Sequence, residues 1–272
     1  MAIAKREVAS RLLDATGLRS LLLRLGSWNG ILTLNYHRVG DASASPFDPE
    51  LFSATAEGFD QQVRFLKAWC DLIVPDDLET ARRRRRGRFA LVTFDDGYID
   101  SFTDALPVLR AHGARATFFL ATGLLDRPRV PWWDEIAWMT RVSAPTTIPA
   151  GPWLQRPVEL DPAGHDQVLL ELNRVYQRLP SASRGAYLDF LGEATGRGRC
   201  GVQPAQGLWM TWDMVRQLRS AGMALGGHTH EHVMLSEHAP GRQWQELETC
   251  LRRIEEEVGV RPDAISYPYG SP

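Results

Sequence analysis

The chain has 272 residues, of which 44% are apolar, 24% charged and 9% aromatic, with a net charge of −2. This composition excludes a disordered tail, a collagen-like repeat and a disulfide miniprotein. The near-neutral charge gives no global footprint for nucleic acid, and no apolar run reaches the roughly 20 residues of a membrane span.

In chain order, residues 1–28 read as an amphipathic helix. Leu18, Leu21, Leu22 and Leu25 fall at helical spacing, Asp14, Arg19 and Arg24 interrupt the apolar stretch, and no signal-cleavage site follows. Packing on its own domain is the favoured role for this helix, with a peripheral membrane contact as the alternative. The scattered Cys70, Cys200 and Cys250, without CxxC spacing, fit a reducing compartment. The expectation is therefore a cytoplasmic chain, membrane-associated if the helix takes its second role.

Residues 29–272 alternate strand and helix. Strands are predicted over 31–38, 72–74, 89–94, 116–120, 223–226 and 264–267, and helices over 57–69, 101–112, 212–221 and 243–258. Residues 41–50 read as a loop, and the arginine run 82–86 as a solvated turn rather than a polyanion site. The apolar run 89–94 has the character of a strand buried on both faces, and short βαβ connections imply parallel pairing. The fold class expected is α/β: an irregular (β/α) barrel with mainly parallel strands. At about 127–207 the rhythm breaks into a proline- and tryptophan-rich insertion, irregular and helical, with one helix near 166–179. About six strands are counted against the eight of a symmetrical barrel, so the barrel is either irregular or incomplete at its C-terminal end.

Four segments carry chemistry. Thr93-Phe94-Asp95-Asp96-Gly97 follows a buried strand, at the sheet edge where parallel α/β folds bind ligands. Adjacent carboxylates repel, so a site holding both supplies a cation or keeps one protonated; helix capping accounts for one acid, not two. Gly226-Gly227-His228-Thr229-His230-Glu231-His232 places three of the chain's 7 histidines in five residues, a metal-site signal. If the strand continues, all three histidines share a face. If the chain turns helically, His228 and His232 share one and His230 points away, and the glycine pair argues for that turn. Ser266-Tyr267-Pro268-Tyr269-Gly270 ends a strand in a rigid turn able to present a backbone N–H. Tyr36-His37 ends the first strand, where a lone histidine is more often structural than catalytic. The tryptophans of the insertion (Trp132, Trp133, Trp153), with Trp209 and Trp212, read first as the core of a small inserted layer and second as a sugar-stacking lid.

Together these segments resemble the polysaccharide deacetylases of carbohydrate esterase family four, the NodB-homology proteins. Thr93–Gly97 is similar to the family's first motif, His228-Thr229 with His232 to its second, and Tyr267–Gly270 to its third. The resemblance implies Asp95 as general base, Asp96, His228 and His232 as ligands of a divalent metal, most simply Zn²⁺, and the Tyr269 backbone N–H as oxyanion donor. Ser266 stands where many members have an arginine that steadies the base, and the family's late histidine acid is absent before Pro272. A circularly permuted subgroup similar to poly-N-acetylglucosamine deacetylases carries that acid early, in a Tyr-His pair after a strand, which points to His37. The implied activity is removal of N-acetyl groups from amino sugars of a polysaccharide or glycan precursor in exopolysaccharide formation, the partner being the acetylated amino-sugar polymer and not nucleic acid. The alternatives are an O-deacetylase on the same site and a non-catalytic glycan-binding protein with a degraded site.

Overall fold

The computed structural model describes residues 30–84, 87–141, 146–161 and 165–269. The helix expected over 1–28 lies outside them. The first strand, β1 (Ile31–Tyr36), stops short of the predicted end. His37 occupies a bend, and Arg38–Val39 forms a separate strand, β2, paired with β3 (Phe52–Ala54). The reason lies in a buried carboxylate: Asp100 accepts from Arg38 Nε at 2.7 Å and from Val39 N at 3.3 Å, drawing the chain off the main sheet. The segment read as a loop over 41–50 contains short 3-10 turns at Ala42–Ala44 and Pro49–Leu51, capped by Asp41 and Asp48.

Helix α1 (Ala56–Trp69) begins where Thr55 accepts from Gly58 N, and it buries Phe59, Val63 and Leu66. A two-residue strand, β4 (Asp71–Leu72), and helix α2 (Leu78–Arg84) lead to β5 (Phe89–Phe94), whose six residues are all buried. On α2, Arg82 and Arg83 are exposed and pair with Glu79. One π-helical turn, Ser101–Ala105, opens α3 (Leu106–Ala111), which leads to β6 (Thr117–Leu120) and a short α4 (Thr122–Asp126).

The insertion is more regular than its sequence suggests. It contains α5 (Trp132–Thr140), an antiparallel hairpin of β7 (Thr146–Ile148) and β8 (Val158–Leu160), α6 (His165–Arg178) and α7 (Ser181–Ala194). Only α6 was foreseen. Helix α5 buries seven of its nine residues and so shows no polar stripe to read. These elements share a core of their own, including Ile136, Met139, Ile148, Leu160, Leu172 and Tyr187.

After the insertion come α8 (Trp212–Ser220), β9 (Ala224–Gly227) and α9 (Pro240–Val258), and the strand expected over 264–267 reduces to a single parallel bridge, Gly227 with Ile265. The main sheet has the order β1-β5-β6-β9, with β4 also on β5, and every pairing in it is parallel. The central core joins its strands to α1, α3, α8 and α9 through Phe59, Phe94, Leu109, Phe118, Val215 and Ile254. Parallel strands bring their C-terminal ends to one edge, and that edge carries the site. Among the described residues no helix is long and apolar enough to cross a membrane.

Candidate active site

Asp95 and Asp96 leave the end of β5. Asp95 N donates to Tyr36 O at 2.9 Å, so the first acid is still held as a strand residue against β1. Asp96 turns into the left-handed region (φ 72°) and Gly97 follows at φ 101°, which sends the two carboxylates in different directions. A Cβ on Gly97 would also lie 3.0 Å from Leu125 Cδ1, so glycine serves both conformation and packing there. Asp96 is buried at 1% exposure and Asp95 at 5%.

The histidine loop follows β9. The glycine pair is not the turn itself. A Cβ on Gly226 would strike the Phe119 ring, and one on Gly227 would lie 3.2 Å from Cys250 Sγ, so the pair lets β9 sit close to β6 and α9. The turn is made afterwards by Thr229 (φ 60°) and His232 (φ 55°). Among the described residues the only non-glycine positions with positive φ are Asp96, Thr229 and His232, so backbone strain is concentrated at one place. The consequence is the histidine grouping of the second expected geometry, reached through left-handed residues rather than a helical turn. His228 and His232 face Asp96, while His230 points away and its Nδ1 lies 2.8 Å from Thr122 Oγ1.

Asp96, His228 and His232 offer ligand atoms within 4.8 Å of one another. His228 Nε2 lies 3.3 Å and His232 Nε2 3.0 Å from the same oxygen, Asp96 Oδ1, yet neither contact has hydrogen-bond geometry and that buried oxygen has no hydrogen-bond partner. His228 Nδ1 is 2.9 Å from the Ser266 carbonyl, which can only accept, so Nδ1 carries a proton and the neutral form of His228 would turn the lone pair of Nε2 toward Asp96. A lone pair converging with an orphaned carboxylate oxygen is the arrangement a divalent cation satisfies, and one carboxylate with two imidazoles is a zinc-type donor set that leaves positions open. Burial opposes ionisation of Asp96, but the two imidazoles outweigh it and hold its carboxyl far below the usual range. Burial lowers His232 and outweighs the neighbouring Asp96 carboxylate, which acts in the opposite direction.

Asp95 stands apart from this trio. Its Oδ2 accepts from Asn35 Nδ2 at 3.1 Å and from Ser266 Oγ at 3.2 Å, whereas its buried Oδ1 has no partner. His37 is half-buried in its bend at the end of β1, the strand that pairs with β5. The Tyr269 ring stands edge-on to His232 with centroids 5.2 Å apart, and its hydroxyl accepts from Trp132 Nε1 at 2.9 Å.

A cavity of about 490 Å³ opens beside His232 and Tyr269, walled by Trp132, Trp133, Tyr176 and Arg184 of the insertion. The tryptophans divide between the cavity wall and the core. Trp132 stacks on Tyr176 at 4.1 Å in that wall, and Trp133 packs on His232 at 4.7 Å. Trp209 is buried against Tyr98, Trp153 packs on the core of the insertion, and Trp212 Nε1 donates to Asp126. Three contributors carry no sequence signal of their role: Asn35, Glu246 and Tyr98. Glu246 Oε2 accepts from the backbone N–H groups of His230 and Glu231 at 3.0 and 2.8 Å, holding the loop from α9. Asn35 sits in the same short segment as His37, but spacing alone does not reveal a cross-strand partner.

The fold and the acid–histidine grouping define a class. The sequence profile of the polysaccharide deacetylases matches residues 82–147 and 172–272, together more than half of the chain. This chain belongs to the polysaccharide deacetylase family. YxkH of Bacillus subtilis (strain 168), provisionally named a polysaccharide deacetylase, is 44% identical over 41 residues, a stretch covering 15% of each chain. Among solved structures, IcaB from Ammonifex degensii superposes with a TM-score of 0.53 at 19% identity, covering 90% of this chain and 77% of that one. The Streptococcus pyogenes deacetylase PplD, solved with acetate, gives 0.52 at 16% identity over 88% and 73%. At these identities the likeness is one of fold: an irregular (β/α) barrel with a mainly parallel sheet.

Proposed function

We propose that this chain is a metal-dependent hydrolase that removes N-acetyl groups from amino sugars of a polysaccharide or glycan precursor, releasing acetate. The observation that carries this reading is the division of labour between neighbouring acids. Asp96 points its orphaned oxygen at two imidazoles, while Asp95 is anchored by one oxygen and leaves the other unpartnered. A zinc ion held by Asp96, His228 and His232 would polarise the acetyl carbonyl and acidify a water. Asp95 Oδ1 then takes the proton of the attacking water. The Tyr269 backbone N–H stabilises the oxyanion, and His37, protonated, gives its proton to the departing amine, which leaves poorly as an anion. The bond broken is the amide C–N, and the products are acetate and the free amino sugar. Ser266 supports this reading over a degraded site, because its hydroxyl reaches the base from the position where an arginine was expected.

The test measures acetate release from N-acetylglucosamine oligomers together with zinc content. Asp95→Asn keeps its zinc and loses activity by about 10²–10⁴-fold, whereas His228→Ala loses both. Undiminished turnover by zinc-stripped Asp95→Asn protein would overturn the assignment.

A further inference from the structure

The base needs a fixed orientation, and two strands supply it. Thr93 and Asp95 are two residues apart at the end of β5, so their side chains leave the same face. Asn35 of β1 is the register partner of Thr93. These three side chains therefore meet by sheet geometry. A carboxylate only accepts, so the end of the Asn35 carboxamide facing Asp95 Oδ2 at 3.1 Å is the amino group. The other end, Oδ1, accepts from Thr93 Oγ1 at 2.8 Å, a far better partner for that hydroxyl than Leu34 O at 3.5 Å. Asp95 thus selects which way the amide lies, and Thr93 anchors its other end. Reversed, the amide would set oxygen against oxygen at Asp95. From the other side Ser266 donates its hydroxyl to the same Oδ2, while its carbonyl takes the Nδ1 proton of His228.

We infer that Asn35, locked by Thr93, and Ser266 are the positioning residues of Asp95: a clamp of neutral donors that immobilises one carboxylate oxygen so that the other faces the attacking water. The inference rests on the proposed deacetylase chemistry and adds to it the source of the base's orientation. None of the three needs to touch substrate, so their removal acts on turnover rather than on binding. A hydrogen bond to a charged group contributes enough that its loss lowers kcat by about 10- to 100-fold, and misorientation of the base acts in the same direction.

The test is steady-state kinetics on N-acetylglucosamine oligomers, with zinc content and melting temperature measured on each protein. Asn35→Ala lowers kcat by about 10- to 100-fold with KM and zinc content unchanged. Thr93→Val, which keeps the shape and removes the hydroxyl, lowers kcat in the same way by a smaller factor, and Thr93→Ser restores it. Ser266→Ala lowers kcat while retaining zinc, since its carbonyl still orients His228. Wild-type kcat in Asn35→Ala and Thr93→Val would overturn the inference and leave the deacetylase reading standing. So would losses that follow KM, zinc content or melting temperature, or a Thr93→Ser variant as impaired as Thr93→Val. A wild-type chain that binds zinc and releases no acetate would instead remove the deacetylase reading, and this inference with it.

Discussion

Asp95 and Asp96 are chemically identical side chains on adjacent residues, and their surroundings are opposite in character. The left-handed backbone at Asp96 turns its carboxylate toward the paired imidazoles, which outweigh burial and hold its carboxyl far below the usual range. Asp95 continues the strand and meets neutral donors instead. His37 owes its place to the bend between β1 and β2, where Asp100 captures the next two residues. In its proposed role as proton donor to an amine it would matter only when the leaving group needs a proton. His37→Ala is therefore expected to lose about 10²–10³-fold on an N-acetyl amino sugar and less than about tenfold on an aryl acetate, whose phenolate leaves unaided. Equal losses on the two substrates, compared by kcat/KM, would remove His37 from that role.

At the scale of elements, the histidine loop is held in an unfavourable shape. Thr229 is β-branched and Thr229 and His232 are both left-handed, so each costs on the order of 1–3 kcal/mol that the surroundings must offset. Helix α9 supplies the offset through Glu246, 2% exposed, whose carboxylate binds two loop N–H groups and pairs with Arg242 at 2.6 Å. Glu246→Ala should weaken zinc affinity by about 10–100-fold, measured by competition with a chromophoric chelator, while His230→Ala should not. Helix α5 has a comparable anchor. Asp134, fully buried, accepts from Asp48 N at 3.0 Å and from Tyr98 hydroxyl at 2.8 Å, and Tyr98 in turn accepts from Trp133, which packs on His232. Burial pushes the Asp134 carboxyl up to about 7, against the pull of those donors. An acid whose folded pKa is raised holds its proton more tightly when folded, so its contribution is greatest below about pH 4 and is lost as pH rises through 7. Asp134→Asn removes that titration. The stability of the wild type relative to this variant should fall by about 3 kcal/mol between pH 5 and pH 8 in denaturant titrations, and a pH-independent difference would contradict the assignment.

For the whole molecule, the site is a junction. Asp95 and Asp96 come from the end of β5, His37 from the end of β1, the histidine loop from β9, and the cavity wall from the insertion, which builds a core of its own. The proposed divalent ion, joining the end of β5 to the histidine loop, would bind the folded chain and not the unfolded one. At a thousandfold excess over its dissociation constant it stabilises by about 4 kcal/mol, or a rise in melting temperature of roughly 10 °C for a chain of this size. Zinc added to stripped wild-type protein should produce that rise in calorimetry, and His228→Ala should show none.

Local sequence determined the parts of this protein whose signal is local. The apolar run of β5 and the 3.6-residue periodicity of α1, α8 and α9 depend only on neighbours in the chain, as does the density of acids and histidines at strand ends. What required tertiary structure was everything set by partners far away in sequence. The first strand breaks at His37 because Asp100 lies beside it, 62 residues on from Arg38. Helix α5 is buried on all sides by a layer that only exists once folded. The two glycines of β9 answer to Phe119 and Cys250 rather than to a turn. The orientation of Asp95 depends on Asn35 and Ser266, 60 positions before it and 171 after it. Periodicity reports which face of an element is buried, but the hydrogen bonds that orient the Asp95 carboxylate form between elements, and only the folding of those elements together brings the residues into contact.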